Sequence, residues 1–161
     1  MKKVMFLLAT VLIGGMMFTG CKKDNPTPDP TPDPEPTTTT VVYKVDNTNG
    51  NLTMSDCFKL NVTYTNAQGE SVTETEVELP WSKSIEVTLP FKAKMEGELV
   101  YNENELPEQV VFGKRYGIGW YSNGSLAIEM LGSIAKANKE SFLNLVEEHP
   151  DRLKFNMEKD F

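Results

Sequence analysis

Phe58-Lys59-Leu60-Asn61-Val62-Thr63-Tyr64-Thr65 is the stretch that decides the fold. Phe, Leu, Val and Tyr alternate there with Lys, Asn, Thr and Thr, which gives an extended strand one apolar face and one polar face. Asn66-Ala67-Gln68-Gly69 follows as a hairpin turn, with Gly69 at a position suited to a positive φ. In the return strand Thr73, Thr75, Val77 and Leu79 fall on one face, and Glu74, Glu76 and Glu78 form a carboxylate row on the other. Such a row reads as a solvated face that discourages edge-to-edge pairing. Pro80-Trp81 ends the strand.

The same period of two extends in both directions. Upstream, Val41, Tyr43 and Val45 alternate in a first strand. Downstream come Ile85, Val87 and Leu89, then Phe91, Ala93 and Met95 around Pro90, with Leu99 and Tyr101 as a continuation or a further short strand. A polar loop spans Asn102 to Glu108. From Val110 to Tyr121 the chain is again strand-like, with Tyr116, Ile118 and Trp120 on one face and Gly117 and Gly119 opposite. Ser122-Asn123-Gly124 is a turn, after which Leu126, Ile128 and Met130 alternate. The period then changes. Phe142, Leu145 and Val146 have helical spacing, Asn138 or Ser141 is placed to cap, and Pro150 lies beyond the end, which predicts a helix over 139–148. Leu153, Phe155 and Met157 alternate in a closing strand. Seven or eight short strands, with one helix before the last, predict a mainly β protein folded as a β-sandwich over residues 41–161.

The segments before residue 41 are of another kind. Lys2 and Lys3 precede a mostly apolar run of about fifteen residues, Val4 to Phe18, shorter than the ~20 that span a bilayer. Residues 1–20 therefore read as a secretory signal. Phe18-Thr19-Gly20-Cys21 resembles the lipobox of bacterial lipoproteins, with Phe18 in place of the usual Leu, and implies acylation of Cys21, which becomes the mature N-terminus. An acyl chain contributes about 0.8 kcal/mol per buried CH₂, so two or more chains would hold the protein on a membrane without a transmembrane helix. Residues 21–40 hold the lipidated Cys and a Pro/Thr-rich arm, with six of the ten prolines between Pro26 and Pro36. Pro fixes φ and removes a donor at every second position, so the arm is expected to be an extended spacer.

Cys21-Lys22-Lys23-Asp24 also looks like the export signals of Bacteroidetes-type lipoproteins displayed on the outer membrane surface. The domain itself is similar to the small immunoglobulin-like domains of unknown function in such lipoproteins. The resemblance is carried by Trp81-Ser82-Lys83-Ser84, by Tyr116-Gly117-Ile118-Gly119-Trp120-Tyr121 and by the late helix before Leu153. It implies an outer-membrane, periplasmic or surface location and brings no activity with it.

Composition narrows the function classes. The formal net charge is −7 and the pI about 4.8, which argues against an electrostatic nucleic-acid binder. One His, His149, excludes sites that need two imidazoles. Cys57 is the domain's only thiol and has neither a basic neighbour nor a motif that would make it a nucleophile. Gly117, Gly119 and Gly124 lie within a strand pattern rather than between a strand and a helix, so they read as places of close backbone approach, not as a phosphate loop. Glu96, Glu98, Glu103, Glu105 and Glu108 form a second acidic zone without a calcium-loop pattern. No catalytic residue, metal or cofactor is expected, and the protein is not expected to be an enzyme.

Trp81, Trp120, Tyr116 and Tyr121 are the candidate binding residues, because aromatic rings near loops stack on sugars or anchor partners. For Trp81 and Trp120 the competing assignment is core, and Tyr121, beside the turn, is the ring expected to be exposed. Two functions follow as expectations. One is a tethered module that binds a glycan or a protein partner through its loops. The other is a structural or accessory envelope lipoprotein with no small-molecule ligand and an edge strand that a partner could extend. A concave pocket with convergent polar groups would instead point toward an enzyme.

Overall fold

The structure, a computed structural model, describes residues 36–161. The signal segment, Cys21 and the arm as far as residue 35 lie outside the described residues. The alternating stretches become strands β1 (Thr38–Asp46), β4 (Phe58–Thr65), β5 (Ser71–Val77), β6 (Trp81–Thr88), β7 (Lys92–Tyr101), β8 (Gln109–Ser122), β9 (Ser125–Ile128) and β11 (Lys154–Asp160). Helix α1 covers Lys139–Glu148, as its spacing predicts. The Asn138 side chain accepts from the Ser141 N–H at 2.8 Å and is its N-cap.

Two antiparallel sheets form the sandwich. One has the order β11-β7-β4-β5, the other β6-β1-β8 followed by β10 (Leu131–Asn138), with β9 also pairing β8. Their inner faces are the apolar faces of the sequence. Phe58, Leu60, Val62 and Tyr64 of β4 meet Val41, Tyr43 and Val45 of β1, Met95 and Leu99 of β7, and Ile118 of β8 in one core. Tyr43 is fully buried, and its hydroxyl donates to the Thr65 carbonyl at 2.7 Å, which satisfies the one polar atom it takes inside. Helix α1 closes one end. Its Phe142 is fully buried among Phe58, Tyr101 and Phe112, at ring-centroid distances of 5.7, 5.1 and 4.8 Å.

The described residues contain eleven strands, not seven or eight. Two of the additions, β2 (Thr48–Asn49) and β3 (Leu52–Thr53), are a two-residue hairpin too short to show a period. The third is β10, Leu-Gly-Ser-Ile-Ala-Lys-Ala-Asn, whose small residues give little alternation. It pairs in unbroken register with β8, from Leu131 opposite Tyr116 to Asn138 opposite Gln109. The domain also begins earlier than residue 41, since Thr38, Thr39 and Thr40 pair with Thr88, Val87 and Glu86.

The glycines of β8 do what their positions suggest. A Cβ on Gly119 would lie 2.5 Å from the Ala127 carbonyl oxygen and 2.6 Å from Ile128 Cβ, and one on Gly117 would lie 2.5 Å from the Glu129 carbonyl oxygen. The β9 segment thus lies against β8 at a distance only glycine permits. Gly119→Ala is expected to cost about 1–3 kcal/mol by overpacking. Urea denaturation checks this, and an unchanged midpoint would mean that β9 is held elsewhere.

The carboxylate row of β5 is broken. Leu60 pairs with Val77 and Val62 with Glu74, so two steps on β4 match three on β5. The extra residue is a β-bulge, with Glu76 at φ 52° and its N–H donating to Asn61 Oδ1 at 2.8 Å. The bulge reverses the phase of the strand. Glu76 and Glu78 stay exposed, while Glu74 turns to the side of Val62 and Tyr64.

Candidate functional site

The four aromatic candidates are not gathered at one site. Trp81 and Tyr116 both pair with Val45, one from each side, and so share a row across the inner face of their sheet. Trp81 is buried. Its indole N–H donates to Glu74 Oε2 at 3.0 Å, and its ring lies 5.6 Å from that of Tyr64. Tyr64 Oη and Lys83 Nζ also donate to Glu74 Oε1, each at 3.1 Å. The Trp81 hydrogen bond, aided by Lys83 and Tyr64, holds the Glu74 carboxyl below its ordinary range against the opposing effect of burial. This cluster latches β5 to β6 through Glu74, whose carboxylate is already taken by three donors.

Trp120 is half-buried beside the C-terminus. The Lys159 ammonium stands 4.3 Å over its ring and Phe161 packs edge-on at 5.4 Å, so part of its surface is already occupied. Tyr121 is 48% exposed, as its place beside the turn suggests, and pairs with Leu126 across the β8–β9 hairpin. It contacts none of the other three candidates through a ring pair. Tyr116 stacks on Phe155 of β11 at 4.5 Å and 21°, and it alone of the four lines an open groove.

That groove, about 690 Å³, is lined by outward side chains of the β11-β7-β4-β5 sheet together with Lys114, Tyr116 and Phe155. Register places its side chains in rows. Lys154, Glu98 and Asn61 are cross-strand neighbours, and so are Asn156, Glu96, Thr63 and Thr73. The Thr63 and Thr73 hydroxyls share a hydrogen bond of 2.8 Å. Glu96 pairs with Lys94 at 3.4 Å and Glu98 with Lys154 at 3.8 Å, all four about half exposed. The floor is backbone at Val62 and Gly97. On its inner side Gly97 makes room for the Phe155 ring, since a Cβ would stand 2.5 Å from it. At one end, beside Tyr116, Lys114 reaches from β8 to donate to the carbonyls of Asp151 and Lys154. Burial, reinforced by Arg152, lowers the Lys114 pKa.

The sequence contained a signal for this face in the outward positions of β4. A central strand whose outer residues include Asn61 and Thr63 carries uncharged hydrogen-bonding groups where a purely solubilising face would carry Lys and Glu. Asn156, Glu96 and Glu98 become part of the same site only through strand pairing.

The remaining singled-out residues are structural. His149 follows α1, and its N–H donates to the Leu145 carbonyl at 2.9 Å. Burial pushes the Cys57 thiol up, with Glu105 and Asp56 adding to the effect, which keeps it protonated and inert. Glu103 and Glu105 lie in a 3-10 turn capped by Asn102, away from Glu96 and Glu98 on β7. Among the described residues no helix is long and apolar enough to cross a membrane. Compared with known protein families and with curated proteins, the chain matches none.

Proposed function

We propose that this protein is a lipid-anchored envelope module that binds a glycan or protein partner on the outer face of the β11-β7-β4-β5 sheet. The observation that carries this reading is the groove itself, where amides, hydroxyls and ion-paired side chains from four strands converge on one open surface. The binding face moves from the loops to a sheet, because three of the four aromatic candidates are latched, capped or isolated. Cys21 supplies the anchor and the Pro-rich arm the reach, at about 3.1 Å per residue. The groove supports contact rather than chemistry. Its carboxylates Glu96 and Glu98 are about half exposed and paired with Lys94 and Lys154, and its Lys114 is held by the carbonyls of Asp151 and Lys154.

The accessory reading has one observation of its own. Edge strand β6 runs without a bulge through eight residues, with a row of backbone groups on its open side, so a partner strand has a place to add.

The test uses the full chain in cells. Cross-linked envelope material should be captured by the native chain and by Tyr121→Ala, and lost when Thr63→Trp and Asn156→Trp fill the groove. Cys21→Ser should move the protein from the membrane to the soluble fraction. Equal capture by the filled variant would remove the groove as the binding face, and membrane retention of Cys21→Ser would remove the anchor.

A further inference from the structure

We infer that the ligand class of this groove is a neutral, linear oligosaccharide. The inference rests on the groove being the binding face, as argued above, and adds what the face selects. Glu96, Glu98 and Asp151 stand among its lining residues with Lys114 and Lys154, so charges of both signs are mixed within it. The carboxylates on the sheet are each matched by a neighbouring ammonium at 3.4 or 3.8 Å. A polyanion approaching along the groove meets Glu96 and Glu98, and a polycation meets Lys114 and Lys154, so neither gains a continuous complementary field.

A folded protein partner is poorly served as well. The outward side chains of the two central rows are Lys154, Glu98 and Asn61, then Asn156, Glu96, Thr63 and Thr73. None is a large apolar anchor of the kind that dominates protein interfaces. A dense array of donors and acceptors suits a ligand equally dense in hydroxyls. Carboxylates accept from them, and Asn and Thr side chains do both. Neighbouring strands lie about 4.8 Å apart and alternate residues about 7 Å apart, so the array repeats along an extended chain rather than closing around a compact one. At one end the Tyr116 ring is stacked on Phe155, so it closes the array rather than adding to it.

Affinity electrophoresis of the full chain in gels containing dextran, laminarin or galactomannan, with polygalacturonate as the anionic comparison, tests this. Retardation by at least one neutral polymer is expected, unchanged between about 50 and about 500 mM salt. It should weaken about tenfold or more in the Glu96→Ala/Asn156→Ala double variant and stay intact in Tyr121→Ala. Both substituted positions are exposed, and circular dichroism of the variant confirms the fold. Retardation by polygalacturonate alone, with strong salt dependence, overturns the inference. So does retardation by none of the polymers; if envelope capture is still lost on filling the groove, the binding face stands and only the ligand class falls. Retardation that survives the double variant places the sugar elsewhere and removes the inference.

Discussion

Phe142→Ala should destabilise the domain by about 3–5 kcal/mol, the range for truncating a fully buried aromatic side chain. Phe142 is the only buried residue of α1, yet it touches both sheets. Phe58 comes from β4, Tyr101 from β7 and Phe112 from β8, and all three pack around its ring. Removing the ring leaves a cavity that three strands in fixed ladders cannot close. The rest of the helix is amphipathic with a modest apolar share, and ten residues is short for a helix in isolation. Its order therefore depends on this one plug. Chemical denaturation gives the magnitude, and native-state hydrogen exchange should show α1 losing protection before the sheets. Phe142→Leu should recover part of the loss. A cost below about 1 kcal/mol for the alanine variant would show that the helix is merely appended to the sandwich.

What was legible in the sequence, and what was not, follows from how far apart the cooperating residues lie. The Phe58–Thr65 strand could be read because its period is local and its inner face is the core, so a slip of one residue would expose four large side chains. The helix could be read for the same reason, with Asn138 and Pro150 marking its ends. Leu131–Asn138 could not. Gly132 and Ser133 are exposed, and only Ile134 of that strand is buried, so the strand is defined by pairing with β8 rather than by its own pattern. The groove is less local still. Asn61, Thr73, Glu96 and Asn156 meet only because four strands take a particular register, and no spacing in the sequence encodes that. Trp81 at the start of β6 and Tyr116 within β8 stand out as aromatics in the sequence, but their different surroundings depend on neighbours. Glu74 and Tyr64 enclose Trp81, whereas Gly97 leaves room for the Phe155 ring on which Tyr116 stacks.

Glu74 is the sharpest case, and its substitution carries the second large effect. Read by alternation, it belongs with Glu76 and Glu78 on a solvated face. The bulge at Glu76 turns it inward instead, where it accepts from Trp81, Tyr64 and Lys83. Glu74→Ala removes the acceptor for three donors, two of them on buried aromatic side chains, and should cost about 2–3 kcal/mol. Glu74→Gln keeps the shape but turns an N–H₂ toward groups that are themselves donors, for about 1–2 kcal/mol. The pH dependence has a definite sign. The folded-state pKa is lowered, first by the Trp81 hydrogen bond, so the carboxylate's contribution is fully present above the unfolded-state value of about 4.3. It is lost as pH falls through the lower folded-state value. Thermal melts of the native protein and Glu74→Gln should therefore differ at pH 7 and converge as the pH is taken below about 4. A gap that stays constant down to pH 3 would mean that Glu74 acts by packing alone, and the latch between β5 and β6 would then be the Trp81–Tyr64 contact rather than the carboxylate.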